Sequence, residues 1–92
     1  MKATLYKANG NKKNIEVNSF TELQFFVGGD VAHVKELYGN FFCNEDGEPF
    51  NLDPNPHFLN LLLGDIVELH GDPNKLPYDK QKPKTNKDEK RR

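Results

Sequence analysis

The chain has 92 residues, 35% of them hydrophobic, and a formal net charge of −1. A chain of this length forms one domain with a modest core, which leaves little room for a deep catalytic cavity. Its single cysteine, Cys43, excludes an intramolecular disulfide and a cysteine-rich zinc site. No apolar run reaches the roughly 20 residues that span a bilayer, so we expect a cytoplasmic protein that does not enter a membrane.

The charge is distributed unevenly along the chain. Residues 1–78 carry six lysines and eleven acidic residues, a balance of −5, whereas residues 79–92 carry seven basic and three acidic residues, a balance of +4. The last segment contains no apolar residue and cannot offset the entropy lost on ordering. We therefore predict one compact domain over residues 1–78 and a basic C-terminal tail over residues 79–92 that is disordered in isolation.

The chain opens with the pattern of a β-hairpin. Residues 2–8 alternate loosely between apolar and polar side chains, and Asn9-Gly10 is a common hairpin turn. Residues 13–17 then place Ile15 and Val17 on one face. These features predict two antiparallel strands.

A short helix is predicted next, from Ser19 to Val27. Ser19 and Glu22 have the spacing of a capping box, in which the hydroxyl accepts from the backbone and the glutamate reaches back. Apolar residues recur at helical spacing up to Val27. Gly28-Gly29 can supply the left-handed conformation that ends a helix.

The following residues alternate between strand patterns and one more helical pattern. The predicted elements are strands at 31–37, 40–43, 48–52 and 65–70, and a helix at 56–63 with Asn55 as its N-cap. The predicted fold class is therefore α+β: a small antiparallel sheet of about five strands, with one or two short helices packed on one face.

Possible ligands and catalytic groups crowd together in CNEDGEPFNLDPNP, residues 43–56. Aligned as a calcium loop with Gly47 at its glycine position, this segment would place Phe42 at the first ligand position, where it cannot coordinate. The carboxylates have polar neighbours, unlike the apolar surroundings that tune a carboxyl group for general acid–base work. We predict a turn that, if functional, is a rigid acidic contact surface.

The histidines and the cysteine do not form a recognisable metal or catalytic motif. The spacing of His33, His57 and His70 matches no metal motif, although a cluster of His57 with Asp53 and Asp65 is conceivable. Cys43 lies on an apolar strand, where it is expected to be a small core residue rather than half of a catalytic dyad. The sequence therefore predicts no catalytic residue, no metal site and no cofactor.

Aromatic residues are numerous, with seven phenylalanines and three tyrosines. Phe25 and Phe26 are adjacent, as are Phe41 and Phe42, and adjacent strand residues point to opposite faces. One phenylalanine of each pair is either left outside the core as a partner contact or covered by a second small layer.

Three short motifs appear in a fixed order. Val27-Gly28-Gly29 follows the helix, Asn44-Glu45-x-Gly47 follows a strand and precedes Asn51 or Asn55, and Gly64-Asp65-Ile66-Val67 opens the last strand. Over about residues 4–70, this order resembles a small family found largely in bacteriophages and mobile elements, the domain of unknown function 3846. The resemblance implies a small phage-type accessory protein that binds a host component. The family has no settled activity, so no catalytic residue is carried over.

The sequence as a whole predicts a non-enzymatic binding protein that inhibits or modulates a defence or regulatory factor of a host bacterium. Its acidic body would meet a basic patch on a host protein, or imitate nucleic acid toward a DNA-binding protein. The predicted contacts are four acids and three aromatic side chains: Glu45, Asp46, Glu48, Asp53, Phe25, Tyr38 and Phe41.

Three alternatives stay open. A homo-oligomer would trap a nucleotide signal between subunits, a nucleic-acid-associated protein would act through the basic tail, and a hydrolase or metal-dependent enzyme would use the acidic loop. Residues 1–78 lack arginine, so we do not expect the body to bind nucleic acid. The candidate anion contacts are Lys12, Lys13, Lys35, Lys90, Arg91 and Arg92.

Overall fold

A computed structural model of the chain describes residues 1–78. Its elements are strands β1 (Lys2–Tyr6), β2 (Lys12–Glu16), β3 (Val31–His33), β4 (Phe41–Asn44) and β5 (Ile66–Leu69), and helix α1 (Phe20–Val27). The strands form one antiparallel sheet in the order β2-β1-β5-β4-β3. This architecture confirms the predicted α+β class, while the basic tail predicted at residues 79–92 lies outside the described residues.

The β1–β2 hairpin has a wider loop than Asn-Gly alone indicates. The Lys7 N–H donates to the Asn11 carbonyl at 2.8 Å, and the Gly10 N–H donates to the Lys7 carbonyl at 2.9 Å. Gly10 has a φ of 98°, so a turn is followed by a left-handed residue, as in three-residue hairpin loops. The predicted hairpin is confirmed, with Ala8 added to its loop.

Helix α1 begins and ends at the predicted signals. The Ser19 hydroxyl accepts from the Glu22 N–H at 3.2 Å, and the Glu22 carboxylate accepts from the Asn18 N–H at 2.9 Å. Gly28 ends the helix with a φ of 85°. No helix within residues 1–78 is long and apolar enough to cross a membrane.

The main core lies between α1 and one face of the sheet. Residues directly opposite each other in an antiparallel pair share a face, so Leu5 and Val67 point together toward α1. The buried residues of this core are Ala3, Leu5, Val17, Leu23, Val27, Val67, Leu69 and Leu76. Phe42 packs against the same core, as expected for one member of its pair.

An irregular segment covers part of the other sheet face. The predicted helix at 56–63 is wrong, because only Pro56–Phe58 forms a single 3-10 turn. Asn55 donates its N–H to the Leu62 carbonyl at 2.8 Å, and Gly64 donates to the Asp53 carbonyl at 2.7 Å. This short antiparallel pairing closes the intervening residues into a tight loop. The pairing therefore overrides the helical pattern of their sequence.

Two predicted strands are also shorter or missing. The strand predicted at 31–37 ends at His33, after which the chain turns. The strand predicted at 48–52 is wrong, since the Phe50 N–H donates to the Asp46 carbonyl and the Leu52 N–H donates to the Gly47 carbonyl. Bonds over four and five residues fold this segment on itself instead of pairing it with the sheet.

Candidate functional site

Carboxylates gather at the end of the sheet where β4 stops and β3 and β5 start. The register pairs Val31 with Asn44 and Tyr6 with Ile66, so the residues beyond these pairs lie at one sheet end. We call this region the acidic end; its acids are Asp30, Glu45, Asp46, Glu48, Asp53 and Asp65. Within residues 1–78, Lys7 is the only lysine in an ion pair with one of them, at 3.6 Å from Asp65.

Helix α1 adds to the negative potential at the acidic end. Its C-terminus reaches Gly28, and its last turn contains no basic residue. The carbonyl end of a helix carries a partial negative charge of about half a unit. The acidic end is therefore more negative than its carboxylates alone would make it.

Asn44 anchors the acidic turn to this helix. Its side chain is buried, with 5% exposure. Its Nδ2 donates to the Val27 carbonyl at 3.2 Å, and its Oδ1 accepts from the Asp46 N–H at 2.7 Å. A Cβ at Gly29 would lie 3.0 Å from Nδ2 of Asn44, and a Cβ at Gly47 would lie 3.2 Å from Cβ of Leu63. These motif positions thus fix the turn rather than perform chemistry.

Two exposed phenylalanines accompany the carboxylates. Phe25 on α1 is 79% exposed, and Phe50 in the folded loop is 61% exposed. Phe25 lines a shallow depression of ≈ 340 Å³ together with Asp53 and Asp65. The structure therefore brings together Phe25 and Asp53, both predicted as contacts, and adds Phe50, which the sequence analysis missed.

The other two predicted aromatic contacts lie elsewhere. Tyr38 is fully exposed but sits in the turn after β3, toward the opposite end of the sheet. Phe41 is half-buried rather than exposed, because its ring packs against Tyr6 at 6.2 Å and Phe58 at 5.7 Å between centroids. A second small layer covers Phe41, which was one of the two outcomes left open.

Tyr6 forms the centre of an aromatic cluster on this second face. Its hydroxyl donates to Oε1 of Glu68 at 2.8 Å. Burial, followed by the bond and negative charge of Glu68, raises the pKa of Tyr6 to about 12. Phe58 and His57 approach the Tyr6 ring edge-on. No sequence signal indicated this cluster, because its members come from distant parts of the chain.

The histidines are dispersed. Nε2 of His57 lies 3.1 Å from the Asn11 carbonyl, in the hairpin loop. The structure therefore does not support a cluster of His57 with Asp53 and Asp65. Within residues 1–78, no group of three or more histidine, cysteine, aspartate or glutamate side chains is arranged to hold a metal ion.

Two candidate nucleophiles lack either activation or access. Burial, and then the charge of Glu36, raises the pKa of the Cys43 thiol, which favours the unreactive protonated form. The Thr4 hydroxyl lies 2.7 Å from Nε2 of His70, a distance that suits a nucleophile and its base. Thr4 is only 5% exposed, however, so its oxygen offers little access to a substrate.

The candidate anion contacts are not brought together. Lys12 and Lys13 are neighbours on β2 and point to opposite faces. Lys35 follows β3 at the other edge of the sheet, and four strand spacings of about 4.8 Å separate those edges by about 19 Å. Lys90, Arg91 and Arg92 lie outside the described residues.

An apolar groove is the second candidate surface. It has a volume of ≈ 590 Å³, and its walls come from residues 34–37 and 57–62. We call it the leucine groove; its apolar lining is Val34, Leu37, Phe58, Leu59, Leu61 and Leu62. Leu59 and Leu61 are 82% and 78% exposed.

Asn55 anchors the segment that forms this groove. It is fully buried, and its Nδ2 donates to the carbonyls of Tyr6 and Gly64, both at 2.9 Å. Its Oδ1 accepts from the His57 N–H at 3.0 Å, which confirms the predicted N-cap role. Asn51, the other candidate for the motif asparagine, is exposed.

No protein-family model, curated protein or solved structure matches this chain. The resemblance to the domain of unknown function 3846 therefore stays a prediction.

Proposed function

We propose that this chain is a non-catalytic binding protein whose acidic end docks on a basic surface of another protein. The observation that carries the proposal is the combination of six carboxylates with two exposed phenylalanines at one end of the sheet. Carboxylates steer a basic partner toward the surface, while aromatic side chains supply most of the contact energy once water is excluded.

The surface is held in place before any partner arrives. Asn44 and the helix end fix the acidic turn, so little ordering entropy remains to be lost on binding. The carboxylates of Glu45 and Glu48 are exposed and make no ion pair or side-chain hydrogen bond within residues 1–78. They are therefore available to lysine and arginine side chains of a partner.

The partner we propose is a host bacterial protein in the cytoplasm, a defence or regulatory factor that this protein blocks as phage-type accessory proteins do. That context rests on the motif resemblance alone. A factor that normally binds nucleic acid fits the chemistry, since its basic groove would accept a negative surface.

The test is affinity capture from a bacterial lysate with the full chain, followed by elution in rising salt. Captured proteins and small nucleotides are identified together. We expect a basic protein to be retained by the wild type and released by salt, and to be lost from the double variant Glu45→Lys/Glu48→Lys.

The matched control is Glu16→Lys/Glu36→Lys, which makes the same change of charge at two exposed glutamates outside the acidic end. The control should retain the protein that the first variant loses. Retention by both variants would show that Glu45 and Glu48 do not contribute to binding, and loss from both would show that overall charge rather than the acidic end governs it.

A further inference from the structure

The two edges of the sheet differ in chemistry. β2 exposes Lys12, Lys13 and Glu16 along one edge, and charged residues of this kind prevent another strand from pairing there. β3, at the other edge, consists of Val31, Ala32 and His33 and carries no Lys, Arg, Asp or Glu. Within residues 1–78, β3 is therefore the edge that favours an added strand more.

The hydrogen-bond pattern shows which groups this edge presents. Val34 donates to the Phe41 carbonyl, and Glu45 donates to the Asp30 carbonyl, so even-numbered residues of this stretch bond to β4. In an antiparallel ladder, alternate residues bond to alternate sides. The N–H and C=O groups of Val31 and His33 therefore point outward.

The leucine groove adjoins this edge. Val34 lies directly after β3 and Leu37 three residues later, and both line the groove. Ala32 pairs with Cys43, and Val34 continues that face, so the groove lies on the sheet face away from α1. The tail at 79–92 contains no apolar residue and cannot fill such a groove.

We propose that a second copy of this chain docks here, with β3 pairing antiparallel to β3 of the copy around a twofold axis at Ala32. In this register Val31 of each copy lies opposite His33 of the other, and all four outward N–H groups find carbonyl partners. The two five-stranded sheets become one continuous sheet of ten strands.

The same axis brings the two leucine grooves together. A twofold perpendicular to the sheet keeps the same face of both copies on one side, so both grooves flank the axis. Leu59 and Leu61 of one copy then cover apolar lining of the other, which removes the exposure of both leucines.

Charges beside β3 favour the antiparallel arrangement. Asp30 precedes the strand and Lys35 follows it, and both are exposed. In the proposed register Asp30 lies opposite Val34 of the copy, one residue from its Lys35 and two residues from its Glu36, so the opposite charge is the nearer one. This self-complementary arrangement of strand, charges and groove favours a second copy over an unrelated chain as the occupant.

The dimer leaves the proposed function accessible. Antiparallel pairing of β3 places the acidic ends at opposite ends of the continuous sheet. Each copy therefore keeps five of the six acids of its acidic end for a basic protein, with Asp30 beside the seam, and self-association can fail without affecting that proposal.

The first experiment measures molecular mass against concentration by sedimentation equilibrium. We expect a monomer–dimer equilibrium in the wild type and a dissociation constant raised at least about 100-fold in Leu59→Glu/Leu61→Glu, because two apolar side chains lose their cover. The matched control is Phe25→Glu, which changes an equally exposed apolar residue at the acidic end and should leave the constant within about 3-fold.

The second experiment measures amide hydrogen exchange at low and high protein concentration. The amides of Val31 and His33 should gain protection at high concentration, whereas the outward amides of Lys12, Asn14 and Glu16 on β2 should not. A monomer at every concentration overturns the proposal. A dimer that depends on Phe25, or that protects β2 instead of β3, also overturns it.

Discussion

The acidic end and the leucine groove are built in the same way but present opposite chemistry. Asn44 ties the acidic turn to the end of α1 with one donated and one accepted hydrogen bond. Asn55 ties the groove segment to the sheet with two donated bonds and one accepted bond. Both asparagines are buried, whereas the side chains that each region displays are mostly exposed.

This comparison separates structural residues from residues available for binding. A buried amide is costly unless its bonds are made, so Asn44 and Asn55 specify one conformation each. Exposed carboxylates at the acidic end and exposed leucines in the groove add little to folding stability.

Asn55→Ala should have the largest effect. It removes three hydrogen bonds and leaves the carbonyls of Tyr6 and Gly64 without that partner. We expect the free energy of unfolding in urea to fall by about 3 kcal/mol. Asn51→Gly, at an exposed asparagine with a φ of 59°, should change it by less than about 0.5 kcal/mol. Equal effects of the two changes would contradict the assignment of Asn55 as the anchor.

Asn44→Ala should lower the free energy of unfolding by about 2 kcal/mol, since it removes two hydrogen bonds. Its local effect distinguishes the two regions. Amide exchange at Asp46 should accelerate in Asn44→Ala, while exchange at His57 stays slow; Asn55→Ala should show the reverse. Acceleration at both amides in both variants would mean that the regions unfold as one unit.

Tyr6, which lies beneath the groove segment, makes a pH-dependent contribution to the free energy of unfolding. Its pKa lies at about 12 rather than 10, so its contribution is fully present below pH 10 and is lost as the pH rises through 12. The unfolding free energies of wild type and Tyr6→Phe should therefore converge between pH 10 and 12. A constant difference across this range would show that Tyr6 ionises as readily in the folded chain as in the unfolded one.

The smallest expected effect concerns the backbone of the groove. Leu59 and Asn60 both have left-handed conformations, with φ values of 57° and 61°. Asparagine tolerates this region better than leucine, so Leu59→Asn should raise the free energy of unfolding by about 0.5 kcal/mol, and Asn60→Leu should lower it by about 0.5 kcal/mol. Thermal unfolding of the two variants measures these changes in stability. Changes of the same sign would rule out backbone strain as their cause.

Local signals in the sequence were enough to predict the hairpin, helix α1 with both of its caps, and the α+β class. They failed where distant residues decide the structure. The helix predicted at 56–63 is displaced by the pairing of Asn55 with Leu62 and of Asp53 with Gly64. The half-burial of Phe41 depends on Phe58, which that same segment carries onto the sheet.

Only part of the candidate site was predicted, because local signals identify residues that are close together in the sequence. The acidic loop is contiguous in sequence, so Glu45, Asp46 and Glu48 were found together. The addition of Asp30 and Asp65, and the placement of Phe25 beside Asp53, depend on the tertiary arrangement, which no short motif encodes. The leucine groove was missed because the NLLL run at 60–63 has an equally good interpretation as part of a buried helix.

If the acidic end serves binding rather than folding, as we propose, a substitution there should affect capture and leave stability intact. The most direct test measures the free energy of unfolding and the capture of a basic protein on the same preparation of Glu45→Lys/Glu48→Lys. We predict that stability is unchanged or higher, because two like charges are removed from a negative surface, and that capture is lost. A loss of stability of more than about 1 kcal/mol would assign these glutamates to the fold. Undiminished capture would contradict their role in binding.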